Sequence, residues 1–302
     1  MSDLTLSASG IGVLQSCAKK YRLKYIENLE AIDRPSYLTL GTAFHKCVEI
    51  KRKGGTLHDM RTEALKAEDD DMRCVLLVMV EAYYRKYAEE SGFSEVEFEF
   101  ICELPDGTQV KGVADALAKN GDGFLIYETK TASTIDGTYL EKLWSSRQAL
   151  MYCHFISRSG YKINGVMWDL VKKPTIHRLK ATPIDKRKYK TDKHTGEKTL
   201  YANQRIYAET DAEFIGRLQR WYSEHPEALH RELVVYSEQQ LKAIAEDVED
   251  EAERLRWHKS SQKWPRSLSS CHKYRSPCEY AALCHSGGNP LILETHYQRK
   301  EN

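Results

Sequence analysis

Apolar residues follow a helical period over roughly the first third of the chain. They recur every three or four positions, as on the buried face of a helix. Ser7 or Ser9 can cap the first helix, and Cys17 falls in its middle. Three helices are therefore predicted before any strand: from the serine cap to about residue 26, from about Leu40 to Lys51, and from about Leu57 to Glu90 with an acidic kink at 68–71.

The period then changes to the alternation of apolar and acidic residues that marks a half-buried strand. Turns rich in glycine and asparagine or proline separate this strand from the next two. The predicted order is a strand over 96–102, a strand over 109–118, a strand over 124–131, a helix over 140–157 and a buried strand over 166–171. A hairpin followed by a crossover helix and another strand predicts an α/β sheet of mixed direction.

Two later stretches are strongly polar. Residues 185–200 contain a turn at 194–197 and predict a projecting hairpin or mobile loop. A solvated basic loop and a DNA-contacting arm are both open interpretations of this stretch. Residues 237–258 predict a highly charged helix, for which a structural role is the default.

The overall charge is balanced, with 45 Lys and Arg against 44 Asp and Glu and a formal net charge of +1. The chain is thus not a general polycation, although a local basic groove is allowed. The candidates for such a groove are Lys19, Lys20, Arg22, Lys24, Lys186, Arg187 and Lys188. The sequence has no apolar run long enough to cross a membrane, and its N-terminus lacks a secretory signal pattern, which points to the cytosol.

The segment with the clearest chemistry is the hairpin that carries Asp115, Glu128 and Lys130. Side chains alternate along a strand, so Glu128 and Lys130 share one face, and the hairpin brings Asp115 beside Glu128. Two carboxylates about 4 Å apart repel by roughly 4 kcal/mol at an effective dielectric of 20. They need a proton, a basic partner or a divalent cation between them. The alternative is a weak cross-strand salt bridge on a solvated face, but the apolar stretch 125–127 before Glu128 favours a buried site.

Several motifs in one order resemble the RecB-like branch of the PD-(D/E)XK nuclease superfamily. They are GVAD ending at Asp115, LIYETK containing Glu128 and Lys130, and Gln148-x3-Tyr152. Upstream, SASGIGVLQSCAKKYRLKY and LGTAFHKCVE resemble that branch's first helix and its Gly-x-x-x-His helix. The likeness covers 5–152 and a C-terminal cysteine cluster, and Ala114 stands where the superfamily name has proline.

The resemblance implies a restriction-endonuclease-like α/β fold, a mixed central sheet flanked by helices. It implies a single domain over 1–302, with an N-terminal helical part (1–92), a nuclease core (93–236), and a C-terminal helix with an iron–sulfur segment (237–302). It also implies that Mg²⁺ or Mn²⁺ is held by four groups: His45, Asp115, Glu128 and the Thr129 carbonyl. Lys130 would position the attacking water, while Gln148 and Tyr152 would contact DNA or support the site.

The eight cysteines divide into two groups of four. Those in apolar periodic segments are predicted to be small buried residues: Cys47, Cys74, Cys102 and Cys153. Cys271, Cys278 and Cys284 lie in a short polar stretch with the spacing C-x6-C-x5-C and are predicted to be metal ligands. Resemblance to the iron–sulfur nucleases of this branch implies Cys17 as the fourth ligand of a [4Fe–4S] cluster. Ligand chemistry alone also allows zinc, with His272 or His285 as substitute ligands.

The implied activity is metal-dependent hydrolysis of DNA by an exonuclease that processes DNA ends in recombination, repair or phage DNA metabolism. The chain resembles phage exonucleases and CRISPR adaptation nucleases, both of which process DNA ends. A CRISPR-adaptation-type nuclease is the first alternative function. A non-catalytic DNA-binding module and a zinc-binding interaction protein are the others. The chain lacks the Walker motif G-x-x-x-x-G-K-[ST], so unwinding would require a helicase partner. A single-strand annealing or binding protein is a further candidate partner, in the cytoplasm of a bacterium or a phage-infected host cell.

Overall fold

A computed structural model describes residues 4–32, 39–273 and 276–300. Its strands are β1 (Thr5–Leu6), β2 (Leu29–Ala31), β3 (Phe93–Glu103), β4 (Gln109–Asn120), β5 (Gly123–Ala132), β6 (Ile163–Lys172), β7 (Tyr189–Thr191), β8 (Lys198–Leu200), β9 (Leu229–Val234), β10 (His272–Lys273), β11 (Ser276–Pro277) and β12 (Tyr297–Arg299). Its α-helices are α1 (Ala8–Ser16), α2 (Ala18–Tyr21), α3 (Thr39–Arg52), α4 (Leu57–Ala64), α5 (Asp70–Lys86), α6 (Gly137–Leu143), α7 (Arg147–Arg158), α8 (Asp211–Glu224), α9 (Glu238–Ser261), α10 (Ala281–His285) and α11 (Pro290–His296).

The central sheet has six strands in the order β1, β4, β5, β6 and β9, with β3 also paired to β4. Strands β3, β4 and β5 are successively antiparallel, as tight turns allow. Strand β6 lies parallel to β5 after the α6–α7 crossover, and β9 returns antiparallel to β6. The predicted hairpin, crossover and mixed sheet are confirmed.

Helices cover the sheet through two apolar clusters. The first packs α1, α7 and α9 against the sheet and includes Leu14, Phe155 and Val248. The second joins α3, α4, α5 and α8 and reaches the sheet at Val171 and Leu229. The charged helix α9 buries an apolar stripe at helical spacing, as its predicted structural role requires: Ile244, Val248, Ala252 and Leu255.

Four details of the predicted element order are wrong. The first helix is broken at Cys17, whose backbone is extended, and continues as α2 and a π-helix (Arg22–Ile26). Strands β1 and β2 were not predicted, because each has only two or three residues and pairs with a distant strand, so no local pattern marks it. The stretches 57–90 and 140–157 each contain two helices, because Asp69 and Ser146 act as N-caps that start α5 and α7.

Strands β7 and β8 pair antiparallel and form the projecting hairpin predicted for 185–200. The predicted divisions at 92/93 and 236/237 lie next to the start of β3 and the N-cap of α9. That the whole chain is one domain stays a prediction. Within the described ranges, the helices are too short or too polar to cross a membrane.

Candidate active site

Strands β4 and β5 bring the two predicted carboxylates together. Their register pairs Ala116 with Tyr127, which places Asp115 opposite Glu128 at the next position. The Thr129 amide donates a hydrogen bond of 2.7 Å to Asp115 Oδ2. The β5 backbone next to Glu128 therefore fixes the position of the Asp115 carboxylate.

Lys130 and Gln148 surround one oxygen of Glu128. Lys130 Nζ lies 3.2 Å from Glu128 Oε2, and Gln148 Nε2 donates to the same oxygen at 3.0 Å. Lys130 Nζ also donates to Gln148 Oε1 at 3.1 Å. Tyr152 lies one turn further along α7, with its hydroxyl 3.2 Å from Gln148 Nε2. Helix α7 thus holds the positions of both Glu128 and Lys130.

The other oxygen of Glu128 has no hydrogen-bond partner among the described residues, although the side chain is 0% exposed. Burial first, and then the Asp115 charge, raise the pKa of Glu128 to about 8. A buried carboxylate is stable when a proton or a cation compensates its charge. Glu128 Oε1 therefore has the chemistry expected of a group that accepts a divalent cation.

His45 approaches the carboxylates from α3. Its Nδ1 lies 3.5 Å from Asp115 Oδ2, and its ring also interacts with the Thr129 backbone. Burial lowers the pKa of His45, which favours the neutral imidazole that binds metals. One turn earlier, a Cβ at Gly41 would lie only 3.2 Å from Thr131 Oγ1, so the glycine allows α3 to pack closely on β5.

These groups meet in one place without forming a closed metal cage. Within the part of the chain that the structure describes, no three His, Cys, Asp or Glu side chains are grouped closely enough to hold a metal ion. Mg²⁺ commonly binds through one or two carboxylates and completes its shell with waters and phosphate oxygens. The donor set of Asp115, Glu128 and the adjacent backbone fits such an open site.

A buried ionic network that was not predicted from the sequence lies behind the site. Asp169, on β6, is 0% exposed and lies opposite Thr129 in the parallel register. Arg52 Nη2 donates to Thr129 Oγ1 at 2.8 Å and to Asp169 Oδ2 at 3.3 Å. Arg52 Nη1 lies 3.8 Å from Asp115 Oδ2. The available signals were an aspartate inside an apolar strand and an arginine two helical turns after His45.

Arg231 completes this network from the far side of Asp169. It donates to both oxygens of Asp169 at 3.2 Å and to Glu90 Oε1 at 2.7 Å. The Tyr83 hydroxyl donates to Asp169 Oδ2 as well. Arg52 and Arg231 thus share Asp169, but Arg52 is the one that also contacts Thr129 and Asp115.

The cysteines predicted as ligands line one cavity although they are far apart in sequence: Cys17, Cys271, Cys278 and Cys284. The Ser267 amide, 250 residues after Cys17, lies 3.5 Å from Cys17 Sγ. Burial raises the pKa of Cys284, and the other three thiols interact with it electrostatically. His285 lines the same cavity, whereas His272 is exposed. Residues 274–275, inside the C-x6-C spacing, lie outside the described residues.

Three of the four remaining cysteines are buried as predicted: Cys47, Cys74 and Cys153. Cys102 differs, because it is only half-buried. Its thiol donates to the Phe155 carbonyl at 3.2 Å. Strand alternation places Cys102 on the face that packs towards α7, near the end of β3, where the cover is incomplete.

The basic strip predicted along the first helix is largely paired with acidic residues. Lys20 and Lys24 lie 3.0 and 3.8 Å from Glu279 Oε1. Arg22 lies 2.7 Å from Glu27 Oε1. The two Glu279 pairs link the C-terminal segment to the first helical stretch, whereas the Arg22 pair is local. All three leave less positive charge there for phosphate.

Comparisons with known proteins identify the family and the fold. A model of the PD-(D/E)XK nuclease superfamily matches residues 5–285. A crystal structure from Eubacterium rectale, named "Putative exonuclease", has a TM-score of 0.50 and 11% identity, with 94% of each chain covered. A structure named SSO0001 has a TM-score of 0.33 and 16% identity, covering 73% of this chain and 75% of that one. A search of curated proteins found no match. The Eubacterium rectale structure shows a shared fold, which confirms the predicted restriction-endonuclease-like architecture.

Proposed function

Because the chain belongs to the PD-(D/E)XK nuclease superfamily, we propose that this nuclease is of the RecB-like type. We propose further that it hydrolyses DNA phosphodiester bonds with Mg²⁺ or Mn²⁺ as an exonuclease. The observation that carries the metal dependence is Glu128, a fully buried carboxylate beside Asp115, one of whose oxygens has no hydrogen-bond partner among the described residues. End processing in recombination, repair or phage DNA metabolism is the proposed role, with DNA as the substrate.

The proposed ligands are His45, Asp115, Glu128 and the Thr129 carbonyl. A bound divalent cation would stabilise the charge that develops on the scissile phosphate. Lys130, held between Glu128 and Gln148, orients the attacking water. Gln148 holds the side chains of Lys130 and Glu128 in position, and Tyr152 supports Gln148. The cluster of Asp115, Glu128 and Lys130 argues against a non-catalytic DNA-binding module, which has no chemical need for it.

The test uses DNA labelled at the 5′ or the 3′ end, single-stranded or duplex, with Mg²⁺ or Mn²⁺ and with EDTA as control. Stepwise release of nucleotides from one end is the expected result and gives the polarity. Cleavage of a circular single strand or duplex would contradict the exonuclease assignment. Equal cleavage in EDTA would contradict metal dependence.

His45→Ala should reduce cleavage less completely than loss of either carboxylate, because water can replace an imidazole ligand. The Mn²⁺ concentration for half-maximal rate should rise by about tenfold or more, since even residues that only support a ligand typically cost that much metal affinity. The measurement is the cleavage rate as a function of Mn²⁺ concentration. His58→Ala, on the exposed side of α4, is the matched control. An unchanged Mn²⁺ dependence in His45→Ala would remove His45 from the site.

Arg52→Lys should slow cleavage by about tenfold to a hundredfold, although the positive charge is kept. A lysine cannot reproduce the two-nitrogen fork, in which Nη2 bonds Thr129 and Asp169 while Nη1 faces Asp115, so Asp115 and β5 lose their fixed position. Arg231→Lys is the matched control, because it disturbs Asp169 and Glu90 away from the site. Both variants should lose thermal stability.

The readout that separates positioning from stability is the Mn²⁺ dependence. It should change in Arg52→Lys and stay as in the wild type in Arg231→Lys. The same change in both variants would assign Arg52 a structural role alone.

A [4Fe–4S] cluster held by Cys17, Cys271, Cys278 and Cys284 is also part of the proposal. Its support is the convergence of these thiols on one cavity and the affinity of soft thiolates for iron–sulfur clusters and zinc. When bound, the cluster would join the first helix to the C-terminal segment. A helicase or a single-strand annealing or binding protein is the proposed partner, in the cytoplasm.

A further inference from the structure

Residues 180–207 form an arm around the β7–β8 hairpin. All of them are exposed or half-buried. The arm closes on itself, because the Thr182 amide donates to the Arg205 carbonyl at 2.8 Å and Gln204 Nε2 donates to the Lys186 carbonyl at 3.0 Å. The arm is therefore an ordered projection with little apolar packing of its own.

The root of the arm is clamped to α5 and α8. Arg178 lies 2.5 Å from Asp71 Oδ1 and 2.8 Å from Asp211 Oδ1. The buried Glu209 accepts hydrogen bonds from the Leu179 amide at 2.8 Å and from Arg217 Nε at 2.6 Å. These contacts fix the direction in which the arm leaves the body.

The segment that leads to the arm starts at the end of β6, beside the end of β5. Strands β5 and β6 are parallel, and the Lys173 amide donates to the Ala132 carbonyl at 2.7 Å where both strands end. Lys130 is two residues before that end. The segment that leads to the arm therefore leaves the sheet at the same end of the strands as Lys130.

The arm is basic, whereas the charges of the chain as a whole nearly cancel. It carries eight Lys or Arg against three Asp or Glu. Both arginines already have partners: Arg187 donates to the Thr182 and Ile206 carbonyls within the arm, and Arg205 pairs with Glu213 of α8. The lysines of the arm form no ion pair with any residue that the structure describes: Lys180, Lys186, Lys188, Lys190, Lys193 and Lys198. This unpaired charge contrasts with the paired strip on the first helix.

The exposed tyrosines indicate which kind of nucleic acid would fit the arm. Among the described residues, the tyrosines classed as exposed are Tyr189, Tyr201 and Tyr207, at 49%, 47% and 79%, and all lie on the arm. Aromatic rings beside lysines are the usual platform for single strands, whose unpaired bases stack on them. In a duplex the base faces are already stacked on one another, so they cannot stack on a side chain.

We propose that the arm binds single-stranded DNA, with Tyr189, Tyr201 and Tyr207 stacking on bases and the lysines contacting phosphates. The inference rests on the proposed hydrolysis of DNA at Asp115, Glu128 and Lys130. It assigns the substrate class as a single strand or a duplex with a single-stranded tail.

The test is fluorescence anisotropy of labelled single-stranded and blunt duplex oligonucleotides in EDTA, where cleavage does not interfere. Replacing Tyr189, Tyr201 and Tyr207 together by Ala should weaken single-strand binding by more than tenfold. Replacement of all three by Phe keeps the stacking faces and should bind as the wild type does. Trp257→Ala, an exposed aromatic on α9, is the control outside the arm.

Lys→Glu changes at Lys186, Lys188 and Lys190 should flatten the salt dependence of single-strand binding by about 0.7 in slope for each phosphate that the arm no longer binds. If the variant with Ala at Tyr189, Tyr201 and Tyr207 bound single-stranded DNA as tightly as the wild type, the proposal would be overturned. Equal losses of affinity for single strand and duplex would overturn it too, because the arm would then be a general electrostatic contact.

A short substrate separates this inference from the proposed function. Thymidine monophosphate p-nitrophenyl ester is too small to reach the arm, so its metal-dependent hydrolysis should be unchanged in the arm variants. Loss of that hydrolysis in the arm variants would show that they damage the site and would overturn the separate role of the arm. If the wild type hydrolyses neither DNA nor the ester, the proposed function fails, while the anisotropy result still decides whether the arm binds single strands.

Discussion

Glu128→Gln should abolish metal-dependent cleavage of DNA while the protein stays folded and binds DNA. Gln has the shape of Glu, and its amide oxygen can accept the hydrogen bonds that Lys130 and Gln148 donate to Oε2. What is lost is the negative charge that a divalent cation needs. A bound cation stabilises the transition state by several kcal/mol, so its loss should slow cleavage by about a thousandfold or more.

The experiment compares cleavage of end-labelled DNA in Mg²⁺ or Mn²⁺ with DNA binding in EDTA and with the thermal midpoint. Asp115→Ala and Lys130→Ala should lose cleavage in the same way. Glu99→Gln, an exposed carboxylate on β3, is the matched control and should cut at the wild-type rate. Wild-type cleavage by Glu128→Gln would show that the site lies elsewhere.

Replacing Cys17, Cys271, Cys278 or Cys284 by Ala should lower solubility and thermal stability directly, and DNA cleavage only as a consequence. The C-terminal segment rests on a small apolar cluster of five buried residues: Leu23, Leu29, Tyr280, Leu283 and Tyr297. A cluster that joins Cys17 to the C-terminal thiols closes a loop of about 250 residues, and long closures restrict the unfolded chain most. The energy of binding the cluster is then also folding energy. Cleavage should fall only as the first helix is displaced.

Iron and sulfide analysis of anaerobically purified protein measures this directly, with about four of each expected per chain. Ser replacements at Cys47, Cys74, Cys102 and Cys153 are the controls and should keep the cluster. One zinc per chain without sulfide would replace the iron–sulfur assignment by a zinc site.

The sequence determined the parts of the site that local rules control. A tight turn and alternating side chains define the register of a hairpin within some twenty residues, so Asp115, Glu128 and Lys130 could be placed together in advance. Helical spacing likewise put Gln148 and Tyr152 on one face. The mixed sheet followed from the order of strand, strand, helix and strand.

Tertiary structure decided the features whose partners are distant in sequence. Arg52 and Asp169 are 117 residues apart, and their pairing depends on how α3 packs on the sheet. The break at Cys17 is hidden because apolar residues continue on both sides of it, and the neutralisation of Lys20 depends on Glu279. Which tyrosines stay exposed depends on what the rest of the chain covers. Periodicity reports the face that a segment buries, whereas long-range pairing is set by packing between segments, and that information is absent from any local pattern.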